Sequence, residues 1–150
     1  MTQVPYEQIA ARIQAILQSG RLQAPDVFGS RLTMEYLPMA EGAFRFASRT
    51  ESWMCNPGGT VHGGICATLV DEAMGIVVFA MGDGKTISPT INLQVNYHRP
   101  LLPGKEITIS IRPVSVTRRL ITLSAEVSCA EKPESLCFSS TATFFCKDPA

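Results

Sequence analysis

Between Ile65 and Met81 the chain runs for 17 residues with only two charged side chains, Asp71 and Glu72, set side by side at its centre. Such a run is shorter than the roughly 20 residues that hydrocarbon requires, and each central carboxylate would cost a few kcal/mol or more there. It reads instead as a helix buried inside a protein. A helix that is apolar on nearly every side must be enclosed, so the rest of the chain has to provide a surface that wraps it.

The residues after Pro89 have the pattern for that surface. TINLQVNYH, KEITISIRPVSVT, RLITLSAEVSCA and SLCFSSTATFFCK are rich in β-branched residues and are separated by PLLPG, by Arg118-Arg119 and by EKPE. They predict four consecutive strands in an antiparallel meander. Upstream, LTMEYLPM and GAFRFASRT flank Ala40-Glu41-Gly42 and predict a strand pair joined by a tight turn. Residues 5–19 begin at Pro5, carry Ile9, Ile13, Ile16 and Leu17 on one stripe and stop at Gly20, the signature of an amphipathic helix at the edge of the domain. The fold class is therefore α+β, with one long central helix inside an antiparallel sheet and an additional N-terminal helix over residues 1–20. No repeat or linker divides residues 1–150, which read as one domain.

Charge narrows the partners. Thirteen basic residues balance thirteen acidic ones in 150, and no basic run stands out, so the electrostatic footprint of nucleic-acid or anionic-membrane binding is missing. Charged residues make up only 17% of the chain, below the roughly 25% usual for soluble domains, which points to surface covered by further copies of the chain. The five cysteines form no Cys-x-x-Cys pair and no repeated Cys/His spacing, so they are expected to be buried packing residues in a reducing, cytoplasmic setting, without disulfide or metal site. The N-terminus lacks the basic start and apolar core of an export signal.

The segment Asn56-Pro57-Gly58-Gly59-Thr60-Val61-His62-Gly63-Gly64 opens directly into the apolar helix. A helix start presents unpaired N–H groups and positive partial charge, and glycines there let a ligand approach them, so this turn can hold an oxyanion beside the polar handles of Asn56 and His62. Nine residues after His62 comes Asp71, whose carboxylate is costly in an apolar helix unless it has a task or a partner. Glu72 is rotated by about 100° from it and is expected to reach solvent or an ionic partner.

Asn56-x5-His62-Gly63-Gly64-x6-Asp71, followed by TINLQVNYHRP ending at Pro100 and by Gly104, closely resembles the hotdog-fold acyl-CoA thioesterases of the phenylacetate-degradation (PaaI-like) branch. The resemblance runs from about Asn56 to Cys146. It implies a hotdog fold, and a site in which Gly63 donates its N–H to the thioester carbonyl with help from Asn56. Asp71 would serve as base or nucleophile, and Thr90, where many relatives carry serine, would hold it or the attacking water. His62 would orient the loop or meet the leaving sulfur, Gly64 would lie against substrate, and Arg118 and Arg119 would bind coenzyme A phosphates, as basic residues near this turn do in relatives. Thioester hydrolysis needs no metal or other cofactor, because a thiolate leaves readily once base and oxyanion donors are in place. The resemblance further implies a homodimer that assembles into a tetramer. Two rivals belong to other classes: an acyl-thioester hydratase of the same fold, whose histidine loops differ from this one, and a non-catalytic acyl-CoA sensor, in which Asp71 would be dispensable. The acyl group is not legible, since it depends on which of Met34, Trp53, Met54, Phe79, Met81 and Tyr97 line the pocket.

Overall fold

The computed structural model describes residues 4–20 and 24–146. Helix α1 spans Tyr6–Gln18, and the long helix α2 spans Gly63–Met81. Six strands complete the chain: β1 (Glu35–Ala40), β2 (Ala43–Arg49), β3 (Thr90–Tyr97), β4 (Glu106–Val116), β5 (Leu120–Cys129) and β6 (Leu136–Phe145). They form one antiparallel sheet in the order β1-β2-β4-β5-β6-β3, wrapped around α2. This is the hotdog arrangement expected from the sequence. The Lys147 end of the last predicted strand run lies outside the described residues.

Helix α2 is long and apolar enough to cross a membrane, yet half of it is buried inside this one chain. Leu69, Val70, Ala73, Met74, Val77 and Ala80 are completely buried, against Phe44 and Phe46 of β2, Ile109 and Ile111 of β4, Leu123 and Val127 of β5 and Phe138 and Phe144 of β6. Those sheet residues alternate along each strand, so one face of the sheet is core and the other faces outward. Helix α1 adds Ile9 and Ile13 to the same core, and its Tyr6 ring lies 5.3 Å from that of Phe44. The β1–β2 hairpin turns on Glu41 and Gly42, both at positive φ (51° and 70°), the two-residue geometry that matches strand twist.

The four C-terminal strands do not form a simple meander. β4, β5 and β6 do, but β3 lies beyond β6 at the sheet edge, and β4 takes its other neighbour from β2. Residues 98–105, with prolines at 100 and 103, are tied down elsewhere and form no hairpin. This segment crosses the start of α2 instead. Its buried Leu101 accepts the Val61 N–H (2.8 Å). Thr50 at the end of β2 donates its hydroxyl to Leu102 O (2.8 Å) and accepts the Lys105 N–H (2.8 Å), which delivers the chain beside β2. Reading strands in sequence order misses such a crossover.

The other end of α2 is closed by a cation from α1. The Arg12 guanidinium donates to Ala80 O (3.1 Å) and Gly82 O (2.9 Å), carbonyls at the negative end of the helix dipole. Arg12→Ala is expected to lower stability by about 1–2 kcal/mol, seen as an earlier urea midpoint at unchanged slope. An unchanged midpoint would mean that water serves those carbonyls equally well.

Candidate active site

The loop before α2 is built by its own polar residues. Asn56 Oδ1 accepts from Gly58 N (2.9 Å) and Thr60 N (3.4 Å), and Asn56 Nδ2 donates to Thr60 Oγ1 (3.1 Å). Gly59, at φ 80°, supplies the left-handed position that this tight turn requires. The loop is pinned at its far end by His62 N to Met54 O (2.8 Å). His62 is the N-cap of α2: its Nδ1 accepts the Gly64 N–H at 2.9 Å, a capping role open to any short acceptor side chain. The Gly63 N–H finds no acceptor among the described residues, so the helix start offers one open donor where positive partial charge concentrates. Asn56, His62, Gly63 and Gly64 thus lie together in one turn. Asn56 braces the loop as well as carrying a second amide hydrogen that its bond to Thr60 leaves over.

Asp71 lies on the half-buried flank of α2 and accepts a 2.8 Å hydrogen bond from the Thr90 hydroxyl at the start of β3. Its Oδ2 engages no described residue. A β-bulge makes this pair possible. Between Thr90 and Asn92 the register against β6 slips by one residue, so that Thr90 stands opposite Phe144 while Leu93, Val95 and Tyr97 stand opposite Ala142, Ser140 and Phe138. Those β6 residues face the core. Strict alternation from Tyr97 would turn Ile91 inward and Thr90 outward; the bulge reverses this, leaving Ile91 exposed.

Beside Gly63 opens a cleft of about 350 Å³, lined by Thr60, Cys66, Tyr97, Arg99 and Phe138 among others. Tyr97, named above only among possible pocket residues, donates its hydroxyl to Gly63 O at 2.7 Å. Its place in Tyr-x-Arg-Pro at the end of β3 was the available signal. Arg99 of that motif holds the carbonyl of Leu136 (2.9 Å). Burial, with Cys137 nearby, pushes the Cys66 thiol up to about 11, which leaves it an inert packing group at neutral pH. Cys66 and Cys137 are buried as expected, whereas Cys55, Cys129 and Cys146 are only partly so, because they lie at the ends of strands or in loops.

Arg118 and Arg119 sit in the β4–β5 turn. Arg118 lines a separate cavity of about 610 Å³ together with Met81 and Gly82, at the C-terminal end of α2. Gly63 starts that helix and Met81 ends it, so at about 1.5 Å per residue roughly 27 Å of helix separates this cavity from the glycine turn. One chain does not bring the arginines to Gly63. Among the described residues, no group of three or more His, Cys, Asp or Glu side chains is placed to hold a metal ion.

Glu72 does not take the solvent position expected of it and has no ionic partner among the described residues. It is half-buried beneath the short 3-10 turn Phe28–Arg31, where a Cβ on Gly29 would come within 2.6 Å of its Oε1. Burial, and secondarily the charge of Asp71, raises its pKa. An acid whose pKa is higher folded than unfolded favours folding most below its unfolded value, and that advantage is lost as pH rises through the folded one. Glu72→Gln is therefore expected to raise Tm at pH 7.5 by roughly 1–3 °C, with the gain vanishing towards pH 4. A gain that is the same at both pH values would contradict this origin.

The thioesterase superfamily model matches residues 58–135, just over half of the chain, and spans the glycine turn, α2 and β3 to β5. No curated protein matches by sequence. Among solved structures, the phenylacetic acid degradation protein PaaI from Thermus thermophilus, as a mutant, is 25% identical over 80% of this chain and 98% of its own, with a TM-score of 0.68. PaaI from Escherichia coli superposes with a TM-score of 0.76 over 96% of each chain at 14% identity. A Streptococcus mutans protein bound to acetyl CoA is 21% identical, covers 78% of this chain and 90% of its own, and has a TM-score of 0.68. The hotdog fold is shared with both PaaI proteins, and with the family match running through the turn and helix that carry Gly63 and Asp71, the chain belongs to the thioesterase superfamily.

Proposed function

We propose that the protein hydrolyses acyl-CoA thioesters to a free acid and coenzyme A, without metal or other cofactor, in the cytoplasm. The observation that carries this reading is the Asp71 carboxylate on an apolar helix, held at one oxygen by Thr90 and open at the other. Asp71 takes a proton from water, and the hydroxide adds to the thioester carbonyl. The oxyanion so formed is met by the Gly63 N–H, aided by the second amide hydrogen of Asn56, and the adduct then expels the coenzyme A thiolate, which is protonated to the thiol. His62 and Gly64 shape the turn that receives the carbonyl. A relative with acetyl CoA bound supports the ligand class.

Gly63 and Asp71 lie on the same helix, eight residues and so roughly 12 Å apart. One thioester carbon cannot reach both. The proposal is therefore a site shared across a homodimer, further assembled into a tetramer, with the Asn56–Gly63 turn of one chain facing Asp71 and Thr90 of the other. Arg118 and Arg119 reach coenzyme A phosphates only in such an assembly. The test is a set of short, medium, long and aromatic acyl-CoA esters followed by thiol release, with and without chelator. Release from at least one ester that survives chelation is expected. Tight binding with no release from any ester would favour an acyl-CoA sensor, and loss on chelation restored by Zn²⁺ or Mg²⁺ would overturn the mechanism.

A further inference from the structure

Tyr97 has no part in the mechanism above, yet it touches the turn on which that mechanism depends. Its hydroxyl donates to Gly63 O at 2.7 Å, and its ring lies on the glycine so closely that a Cβ there would stand 3.2 Å from Oη and 3.3 Å from Cζ. The Gly63 carbonyl and the Gly64 N–H are the two ends of one peptide unit. At its other end that unit donates to His62 Nδ1 at 2.9 Å. Hydrogen bonds arranged in series polarise one another, so a donor on the carbonyl strengthens the N–H as a donor to the imidazole.

We propose that Tyr97 is a positioning residue, which orients the Gly63–Gly64 peptide and through it fixes the neutral His62 ring with its proton on Nε2. The inference rests on the hydrolase reading for its effect on turnover, but the relay itself is a property of the fold. A neutral imidazole that accepts at Nδ1 must carry its hydrogen on Nε2. His62 is exposed, and its Nε2 has no hydrogen-bond partner among the described residues, so that hydrogen is left over as a donor beside the glycine turn. Burial, with Cys66 nearby, raises the Tyr97 phenol above its ordinary range, which keeps it a donor throughout the neutral range.

The placement has a structural cause. The bulge between Thr90 and Asn92 turns both ends of β3 to the same face, so a single edge strand clamps α2 twice, at Asp71 through Thr90 and at Gly63 through Tyr97. Phe138 of β6 stands opposite Tyr97 in the register, with ring centroids 6.4 Å apart, and backs its ring. The strand that holds the base thus also sets the oxyanion turn.

Tyr97→Phe keeps the ring and removes only the hydroxyl. Three measurements on the full chain decide the matter: the ¹⁵N shifts of the His62 ring in the wild type, hydrogen exchange at the Gly64 amide in both proteins, and kcat and KM separately. The wild type is expected to show a proton on Nε2 and none on Nδ1. In the variant the Gly64 amide is expected to exchange about tenfold faster, and kcat to fall roughly five- to tenfold with KM within twofold. A wild-type proton on Nδ1 overturns the proposal without recourse to any variant. Unchanged Gly64 exchange overturns the relay, and faster exchange at unchanged kcat reduces the tyrosine to a structural strut. A wild type that releases no thiol from any acyl-CoA removes the hydrolase reading instead, and the ring shifts and amide exchange still decide whether the relay exists.

Discussion

Asp71→Asn is expected to leave the protein folded and to lower thioester turnover by about two or more powers of ten. The substitution is nearly isosteric, and the asparagine oxygen still accepts from the Thr90 hydroxyl, so the bond that joins α2 to the start of β3 survives. What disappears is the ability to take a proton from water, because an amide at neutral pH has no basic site of comparable strength. Loss of a base acting in the transition state lowers kcat and kcat/KM together and leaves KM little changed. Steady-state kinetics and a thermal melt on the same preparation check both halves of the expectation. Glu72→Gln is the control, since Glu72 points beneath the Phe28–Arg31 turn and its loss should spare turnover. Near-normal turnover in a folded Asp71→Asn protein would assign the chemistry to another group and restore the sensor reading.

The difference between those two neighbouring acids shows how far the sequence carries. That Asp71 and Glu72 cannot share a face follows from helix geometry alone, and the family pattern selects Asp71. Where Glu72 goes depends on a turn 41–44 residues upstream, and no local rule connects Gly29 to it. The central helix is legible as an almost unbroken apolar run, and the strands and the N-terminal helix because each carries a period of hydrophobic residues. The order of the strands is not, because the crossover after β3 depends on Leu101 meeting Val61 before the start of α2 and on Thr50 meeting Leu102 and Lys105. The same limit applies within the site. The Asn56–Gly64 turn is contiguous in sequence and readable as a unit. The Thr90–Asp71 bond requires a bulge whose only trace in the sequence is that Thr90, and not Ile91, carries the hydroxyl. Tyr97 was visible as part of a strand-end motif, but its task depends on the carbonyl it meets.

Two inactive proteins, Asn56→Ala and Asp71→Asn, are expected to regain activity when they are unfolded and refolded together. Asn56→Ala removes the acceptor for Gly58 and Thr60 as well as the spare amide hydrogen, so the turn before Gly63 is lost as an oxyanion site whichever of these matters more. Asp71→Asn leaves that turn intact and removes the base from the middle of α2. If each site joins the turn of one chain to the Asp71 and Thr90 of the other, a mixed dimer pairs the sound turn of the Asp71→Asn chain with the sound base of the Asn56→Ala chain. Its second site holds both defects. Random reassortment makes half of all dimers mixed, so about a quarter of the wild-type number of working sites should appear, without any wild-type chain in the tube. A site built within one chain gives a different result, because every site then still lacks either turn or base and the mixture stays as inactive as its parts. Differently tagged chains that co-purify after refolding establish that exchange has occurred. With exchange established, activity near a quarter of wild type supports the shared site, and an inactive mixture refutes it, leaving the roughly 12 Å between Gly63 and Asp71 to be bridged within a single chain.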